Sequence, residues 1–291
     1  MGDSLTRELL RAVSRSFYLT IRWLPQEMRP AVAVAYLLAR ATDSVADSSA
    51  ASVQRRSDAL RRMGAAIGGD SSELPELMEE LRRHLAPESA AEAELLSRFD
   101  EALSALKQLP EEQVSLVRQT LSTILLGQQW DLSFFEERTQ VLSDEQTREY
   151  TYRVAGCVGR FWTRLGALCL RDAFCDPSRL EDMEEAGIRY GCGLQLVNIL
   201  RDRAEDAARG RSYLCSSPDL WLDRAERYLR DGVDYSRRLS RFRLRFASML
   251  PALLGLRTLA ALRRAKAGSK RVKIPRRAVY ACMLHAFCAS L

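Results

Sequence analysis

Residues 36–47 read Tyr36-Leu37-Leu38-Ala39-Arg40-Ala41-Thr42-Asp43-Ser44-Val45-Ala46-Asp47, and the five residues before them, Ala31 to Ala35, are all Ala or Val. No Gly or Pro interrupts 31–63. Ala, Leu and Arg are strong helix formers, so the stretch is predicted helical. On a helix, Tyr36, Arg40, Asp43 and Asp47, spaced 4, 3 and 4 apart, form one stripe. A polar stripe on an otherwise apolar helix must face water or a ligand, because unpaired carboxylates are costly to bury.

A second segment repeats the pattern: Gly191-Cys192-Gly193-Leu194-Gln195-Leu196-Val197-Asn198-Ile199-Leu200-Arg201-Asp202-Arg203-Ala204-Glu205-Asp206. Gly191, Gln195, Asn198, Asp202 and Asp206 are spaced 4, 3, 4 and 4. Each stripe therefore ends in Asp-x-x-x-Asp, two carboxylates one helical turn apart.

Outward from these segments the chain keeps the same texture. Of its 291 residues, 47% are hydrophobic, enough for a large core and too many for a disordered chain. Stretches 88–109 and 128–155 also lack Gly and Pro, and Leu95, Phe99, Leu103 and Leu106 recur at helical spacing. No run of alternating β-branched residues reads as a strand. Breaks at Pro25, Pro30, Gly68-Gly69, Pro75, Pro87, Pro110, Pro177, Pro218, Pro251 and Gly268 predict roughly ten to twelve helices with short connections. No linker and no internal repeat stands out. The expected fold class is all-α, one domain over 1–291.

The net charge of +6 is unevenly placed. Residues 235–291 hold 14 Lys/Arg and no Asp or Glu, which leaves the rest net acidic. A basic C-terminal portion suggests an anionic partner such as phosphates or an acidic membrane surface, or else a set of solvated heads over packed stems. Arg237, Arg238, Arg241, Arg243 and Arg245 lack a nucleic-acid motif or aromatic interleaving, so no nucleic acid is expected. The seven cysteines include no CxxC and read as free thiols in a reducing compartment. No run reaches the ~20 apolar residues of a membrane span, so no transmembrane helix is expected; the longest interior run is Ala31–Ala39. The start shows no secretory signal pattern.

Like charges at i,i+4 weaken a helix slightly. Two such pairs make sense if a divalent cation neutralises them. Aspartate oxygens suit Mg²⁺, which keeps waters and bridges to substrate phosphates. Two facing pairs would clamp a diphosphate and assist its departure. A single Asp-x-x-x-Asp is as readily an ordinary solvated pair; two copies, each with an in-phase polar stripe, favour the ligand reading. The predicted metal ligands and catalytic carboxylates are Asp43, Asp47, Asp202 and Asp206.

With these residues in place, the chain resembles the squalene/phytoene synthases, from about Ser14 to about Arg277. Ser14-Arg15-Ser16-Phe17 resembles the family's N-terminal flap motif. Tyr36 to Asp47 is similar to its first aspartate-rich motif, and Gln195 to Asp206, followed by Gly210-Arg211, to its second. Tyr150-Thr151-Tyr152-Arg153-Val154-Ala155-Gly156 is similar to its central Val-Ala-Gly motif. The resemblance implies an isoprenoid synthase (terpenoid synthase-like) helical bundle with a central cavity. It implies substrate contacts from Ser14, Arg15, Phe17, Tyr36, Arg40, Gln195, Asn198, Arg201 and Arg211. Leu256 to Leu262 and Lys270-Arg271-Val272-Lys273-Ile274 look more like squalene than phytoene synthases. In squalene synthases that basic stretch is associated with NADPH, which implicates Lys273 and Asn198 in cofactor binding.

Three positions depart from the animal and fungal squalene synthases. Arg153 stands where they have tyrosine, the proposed acid/base; the role falls to Tyr150, to Tyr152, or is handled differently. Ala46 stands where they often have Glu, and Pro275 where Arg is typical. The expected activity is head-to-head condensation of two farnesyl diphosphates through presqualene diphosphate to squalene, with Mg²⁺ and NADPH. The rivals are a dehydrosqualene- or phytoene-type synthase, a presqualene diphosphate synthase without hydride transfer, and a non-enzymatic assembly or binding protein. The expected location is cytoplasmic, with peripheral attachment to the inner face of the membrane.

Overall fold

The computed structural model describes residues 2–14, 17–48, 51–83, 85, 89–136, 140–265 and 272–291, with the backbone alone for 2–7, 17 and 19. Arg15, Lys270 and Arg271 lie outside the described residues. The chain divides into two compact units, Met1–Glu136 and Glu137–Leu291.

The first unit contains α1 (Gly2–Val13), α2 (Phe17–Trp23), α3 (Arg29–Ala46), α4 (Val53–Gly68), α5 (Leu74–Arg83), α6 (Ala90–Ser97), α7 (Phe99–Lys107) and α8 (Glu111–Phe134). The helix α3 is its hub, packed against α1, α2, α4, α6, α7 and α8. Its apolar run explains this: from Ala31 to Ala46 only Tyr36, Ala39, Arg40 and Asp43 are not buried. Pro30 sits in the first turn of α3, where its missing N–H costs nothing.

The second unit contains α9 (Asp144–Thr151), a π-helical segment (Tyr152–Gly156), α10 (Cys157–Leu170), α11 (Leu180–Ala208), α12 (Pro218–Arg237), α13 (Phe242–Leu262) and α14 (Arg276–Ser290). Short 3₁₀ turns occupy Arg171–Ala173 and Pro177–Arg179. Here α11 is the hub, packed on α9, the π segment, α10, α12 and α13. Two glycines let it approach closely. A Cβ at Gly159 would lie 1.9 Å from the Gly187 carbonyl oxygen, and one at Gly191 2.3 Å from that of Ala155. Both glycines serve packing between helices.

Among the described residues there is no strand, only an isolated bridge between Val141 and Ser212. The fold is all-α, as expected, with fourteen α-helices among the described residues rather than ten to twelve. Pro251 does not break a helix: α13 runs through it. Proline removes the N–H that the Ala247 carbonyl would accept. The adjacent Ser248 carbonyl accepts the buried Tyr190 hydroxyl from α11 at 2.6 Å, which ties this turn to the hub helix. Tertiary packing thus holds a turn that local propensity disfavours.

By length and composition, α13 could cross a membrane. More than half of its most apolar stretch is buried and it packs against α11, α12 and α14, so it reads as a core helix. Arg243, Arg245 and Arg257 interrupt its sequence, so no uninterrupted apolar run marks it.

Candidate functional site

The first aspartate pair lies at the end of α3. Asp43 is in the last turn, and Asp47 caps the helix, its N–H donating to the carbonyls of Asp43 and Val45. The predicted stripe is the accessible one: Tyr36, Arg40 and Asp43 are half-buried and Asp47 is exposed, between buried neighbours. Arg40 donates to Asp43 Oδ2 at 2.5 Å and also to Glu92 Oε1 on α6. Ser44 donates to the other Glu92 oxygen at 3.2 Å. Glu92 was not visible in the sequence reading, because its partners lie some 50 residues away and no motif contains it.

This end is electrostatically strained toward negative charge. Burial, then the Asp47 charge, push the Asp43 carboxyl up to about 6, against the lowering effect of Arg40. Burial likewise raises the Tyr36 phenol, with Arg40 opposing. Tyr36 reaches the Val13 carbonyl at 3.5 Å. Ser14 is buried and gives its hydroxyl to the Leu10 carbonyl at 2.5 Å. Phe17 opens α2.

The second pair lies in the last turns of α11. Gln195, Asp202 and Asp206 are half-buried and Asn198 is exposed, while Leu196, Val197, Ile199 and Leu200 are buried. Asn198 donates to Gln195 Oε1 at 3.4 Å. Arg201 holds both oxygens of Asp202, at 2.9 and 2.6 Å, and this hydrogen bonding raises the Arg201 guanidinium further. Gly191, though in phase with the stripe, is buried against Ala155.

The chain leaves α11 through a glycine cap. Gly210 takes φ +80°, its N–H bonds to the Ala207 carbonyl, and the Arg211 N–H bonds to that of Asp206 at 2.8 Å. This is the Schellman pattern, and it folds Arg211 back beside Asp206. Two residues on, Tyr213 stacks on Tyr150 with ring centroids 5.0 Å apart, and its carbonyl accepts Thr147 Oγ1 at 2.6 Å. Tyr150 sits on α9, which starts with a capping box between Ser143 and Gln146. Tyr152 begins the π segment; Arg160 donates to its hydroxyl at 2.8 Å and lies over its ring. Arg153 pairs with Glu149 of the preceding turn at 2.7 Å. Lys273 is exposed in the stretch 272–275 before α14.

Chemically, both hub helices end in carboxylates with no basic residue in the last turn. That opposes the negative C-terminal end of the helix dipole, where a cation is the favoured occupant. Among the described residues no three His, Cys, Asp or Glu side chains form a ready metal cage. Two carboxylates per helix suit Mg²⁺, which takes one or two and completes its shell with water and phosphate oxygens.

The profile of the squalene/phytoene synthase family matches residues 10–217. Both aspartate pairs and the Val-Ala-Gly segment fall within it; Lys273 does not. The bifunctional lycopene cyclase/phytoene synthase of Blakeslea trispora is 29% identical over 77% of this chain and 34% of its own length. Human squalene synthase is 29% identical over 72% of this chain and 47% of its own. The chain thus spans about a third to a half of these relatives. In fold, it is similar to TcSQS with the ligand E5700, with a TM-score of 0.76 and 23% identity over 100% of this chain and 88% of that one.

Proposed function

This chain belongs to the squalene/phytoene synthase family, and on that premise we propose that it joins two farnesyl diphosphates head to head, through presqualene diphosphate, to squalene, with NADPH as reductant. The observation that supports this is that the hub helix of each unit carries Asp-x-x-x-Asp at its C-terminal end, open at least in part to solvent. Asp43, Asp47, Asp202 and Asp206 would hold Mg²⁺, which supplies positive charge to a departing diphosphate.

The remaining tasks belong to the chain. Arg201 and Arg40 fix the rotamers of Asp202 and Asp43. Arg211, set beside Asp206 by the Gly210 cap, is suited to diphosphate oxygens because a guanidinium binds them in pairs. Tyr150 and Tyr152 are the candidates to handle the proton lost as the cyclopropane ring closes. Apolar walls must exclude water, which would otherwise capture the allylic cation.

NADPH supplies a hydride when bound, and Asn198 and Lys273 are the residues proposed to hold it. Beside Lys273, a cavity of about 450 Å³ is lined by Arg257, Arg264, Arg277, Ile274 and Pro275, with no carboxylate. Its charge fits a phosphate. The chain is proposed to work at the cytoplasmic face of a membrane as a peripheral protein, since its product is insoluble in water and 235–291 is basic throughout.

One observation favours a second reading, condensation without hydride transfer to a dehydrosqualene- or phytoene-type product or to presqualene diphosphate. Arg153, where the animal and fungal squalene synthases have tyrosine, is ion-paired to Glu149. Incubation with farnesyl diphosphate and Mg²⁺, with and without NADPH, read by mass spectrometry, separates the two. Squalene formed only with NADPH supports the first. An identical product in both arms replaces it with the second.

A further inference from the structure

The last helix leaves an apolar face uncovered. Its inner side is accounted for: Cys282 and Ala286 are buried against Phe246, Met249 and Leu253 of α13. On the outer side Tyr280 is 65% exposed, Leu284 66%, Phe287 42% and Leu291 82%. These residues are spaced 4, 3 and 4 apart, so they form one stripe along the helix. Other large exposed apolar side chains among the described residues, Trp23, Leu126, Val141, Val158 and Leu220, are scattered over five other parts of the chain. Scattered ones are ordinary; a contiguous row is not.

Charge indicates what covers this row. Exposed Arg276 and Arg277 stand at its N-terminal end. At the other end Phe242 packs edge-on against Phe287, which brings in its exposed neighbours Arg241 and Arg243. No carboxylate occurs between 235 and 291. Aromatic and aliphatic side chains in a line, with arginines at both ends and no Asp or Glu on the helix itself, match the layered chemistry of an anionic bilayer surface, acyl chains beneath phosphates. A helix of 15 residues lying flat would present about 22 Å of this face.

Resting on the peripheral-membrane reading above and giving it a place in the fold, we propose that the outer face of α14, through Tyr280, Leu284, Phe287 and Leu291, inserts into the surface of an anionic phospholipid bilayer. The helix lies in the interface with its stripe among the upper acyl chains. The arginines at its ends meet lipid phosphates. The sealed Cys282/Ala286 side keeps it attached to the rest of the unit.

The test uses the full chain with vesicles of phosphatidylcholine alone and of phosphatidylcholine mixed with phosphatidylglycerol. The unaltered chain is expected to co-sediment with the mixed vesicles and far less with the neutral ones. Tyr280→Ser combined with Leu284→Asp alters two side chains that are already about two-thirds exposed, so folding, followed by circular dichroism, is expected to hold. Its partition to mixed vesicles should fall on the order of tenfold or more. Leu284→Trp should be quenched by brominated acyl chains beyond the quenching of the native tryptophans. If the unaltered chain binds but neither variant differs from it, the membrane reading survives and the assignment to α14 fails. If the unaltered chain binds neither vesicle, both fail. If the chain is a dimer without lipid that Leu284→Asp dissociates, the face is an interface between copies, and this proposal is overturned.

Discussion

At the end of α3, Asp43 shares its arginine with Glu92 from another helix, whereas at the end of α11 Asp202 has the Arg201 guanidinium on both oxygens. The spacing of the two aspartate pairs is identical. Their surroundings are not. Arg40 bridges Asp43 and Glu92, and the Asp43 carboxyl is pushed up to about 6, by burial first and the Asp47 charge second. Around Asp202 the bidentate arginine comes from the preceding residue, and the glycine cap brings the Arg211 backbone to the Asp206 carbonyl. A shared spacing therefore does not imply a shared electrostatic state. The α3 end holds a carboxyl raised by burial and by a neighbouring charge; the α11 end holds Asp202 in a two-point contact with arginine.

If both ends hold metal for one reaction, removing either should be severe. Asp43→Asn and Asp202→Asn are each expected to lower turnover at least about a hundredfold, the scale of losing one strong electrostatic contact to a transition state. Steady-state assays with farnesyl diphosphate over a range of Mg²⁺ concentrations measure this. Near-normal turnover in one folded variant would reduce the pairs from two working sites to one.

A smaller effect distinguishes the two ends. Gly210→Ala places a Cβ on a residue at φ +80°, which costs about 1–2 kcal/mol and loosens the cap that positions Arg211. Turnover is expected to fall about tenfold, more than the stability loss alone would cause, since the chain would stay folded. Arg211→Ala supplies the comparison. If Gly210→Ala loses stability while keeping turnover, the cap shapes the helix end without setting the site.

Smaller still is Arg40→Ala, which leaves Asp43 and Glu92 without their shared guanidinium. Arg40 and Asp43 are 33% and 44% exposed at the side chain, so screening limits the expected loss to about 1 kcal/mol. Urea denaturation with and without MgCl₂ reads it. The loss should shrink when Mg²⁺ is present, because the cation takes over the arginine's role. An equal loss in both conditions would mean that no cation binds there.

The stripes at these two helix ends were legible because a period of 3.6 is written directly in residue spacing, and burial follows it residue by residue from Ala31 to Ala46. Gly210 stood in the sequence only as part of the second motif; its role as a cap emerges from the structure. Glu92 was not, since its pairing with Arg40 is made only by tertiary packing of α6 on α3. Nor was the π segment at Tyr152–Gly156, whose residues have no periodic signature of their own. Pro251 misled because the Tyr190 hydroxyl that supports its turn lies some 60 residues away. Local chemistry can be read in order along the chain; a partner supplied by another helix cannot.

The least costly way to sharpen the comparison is to ask whether α11 is as rigid as its role as support requires. Cys192 lies on α11, just before the polar stripe, and Cys157 begins α10 across the glycine contact. Both are buried, and burial pushes their thiols up to about 11 and about 12. Cys157 also gives its thiol to the Arg153 carbonyl at 2.9 Å. Only the thiolate attacks an alkylating agent, and at mildly alkaline pH roughly one such thiol in a thousand or fewer is ionised. Cys215 and Cys288 are exposed. Brief iodoacetamide treatment with peptide mapping should therefore label Cys215 and Cys288 first, and should reach Cys157 and Cys192 only when the chain unfolds. Labelling of Cys192 at the rate of Cys215 in the folded protein would mean that the crossing of α10 and α11 opens in solution. The end of α11 would then owe its geometry to bound ligand, and the contrast with α3 would be one of mobility as well as charge.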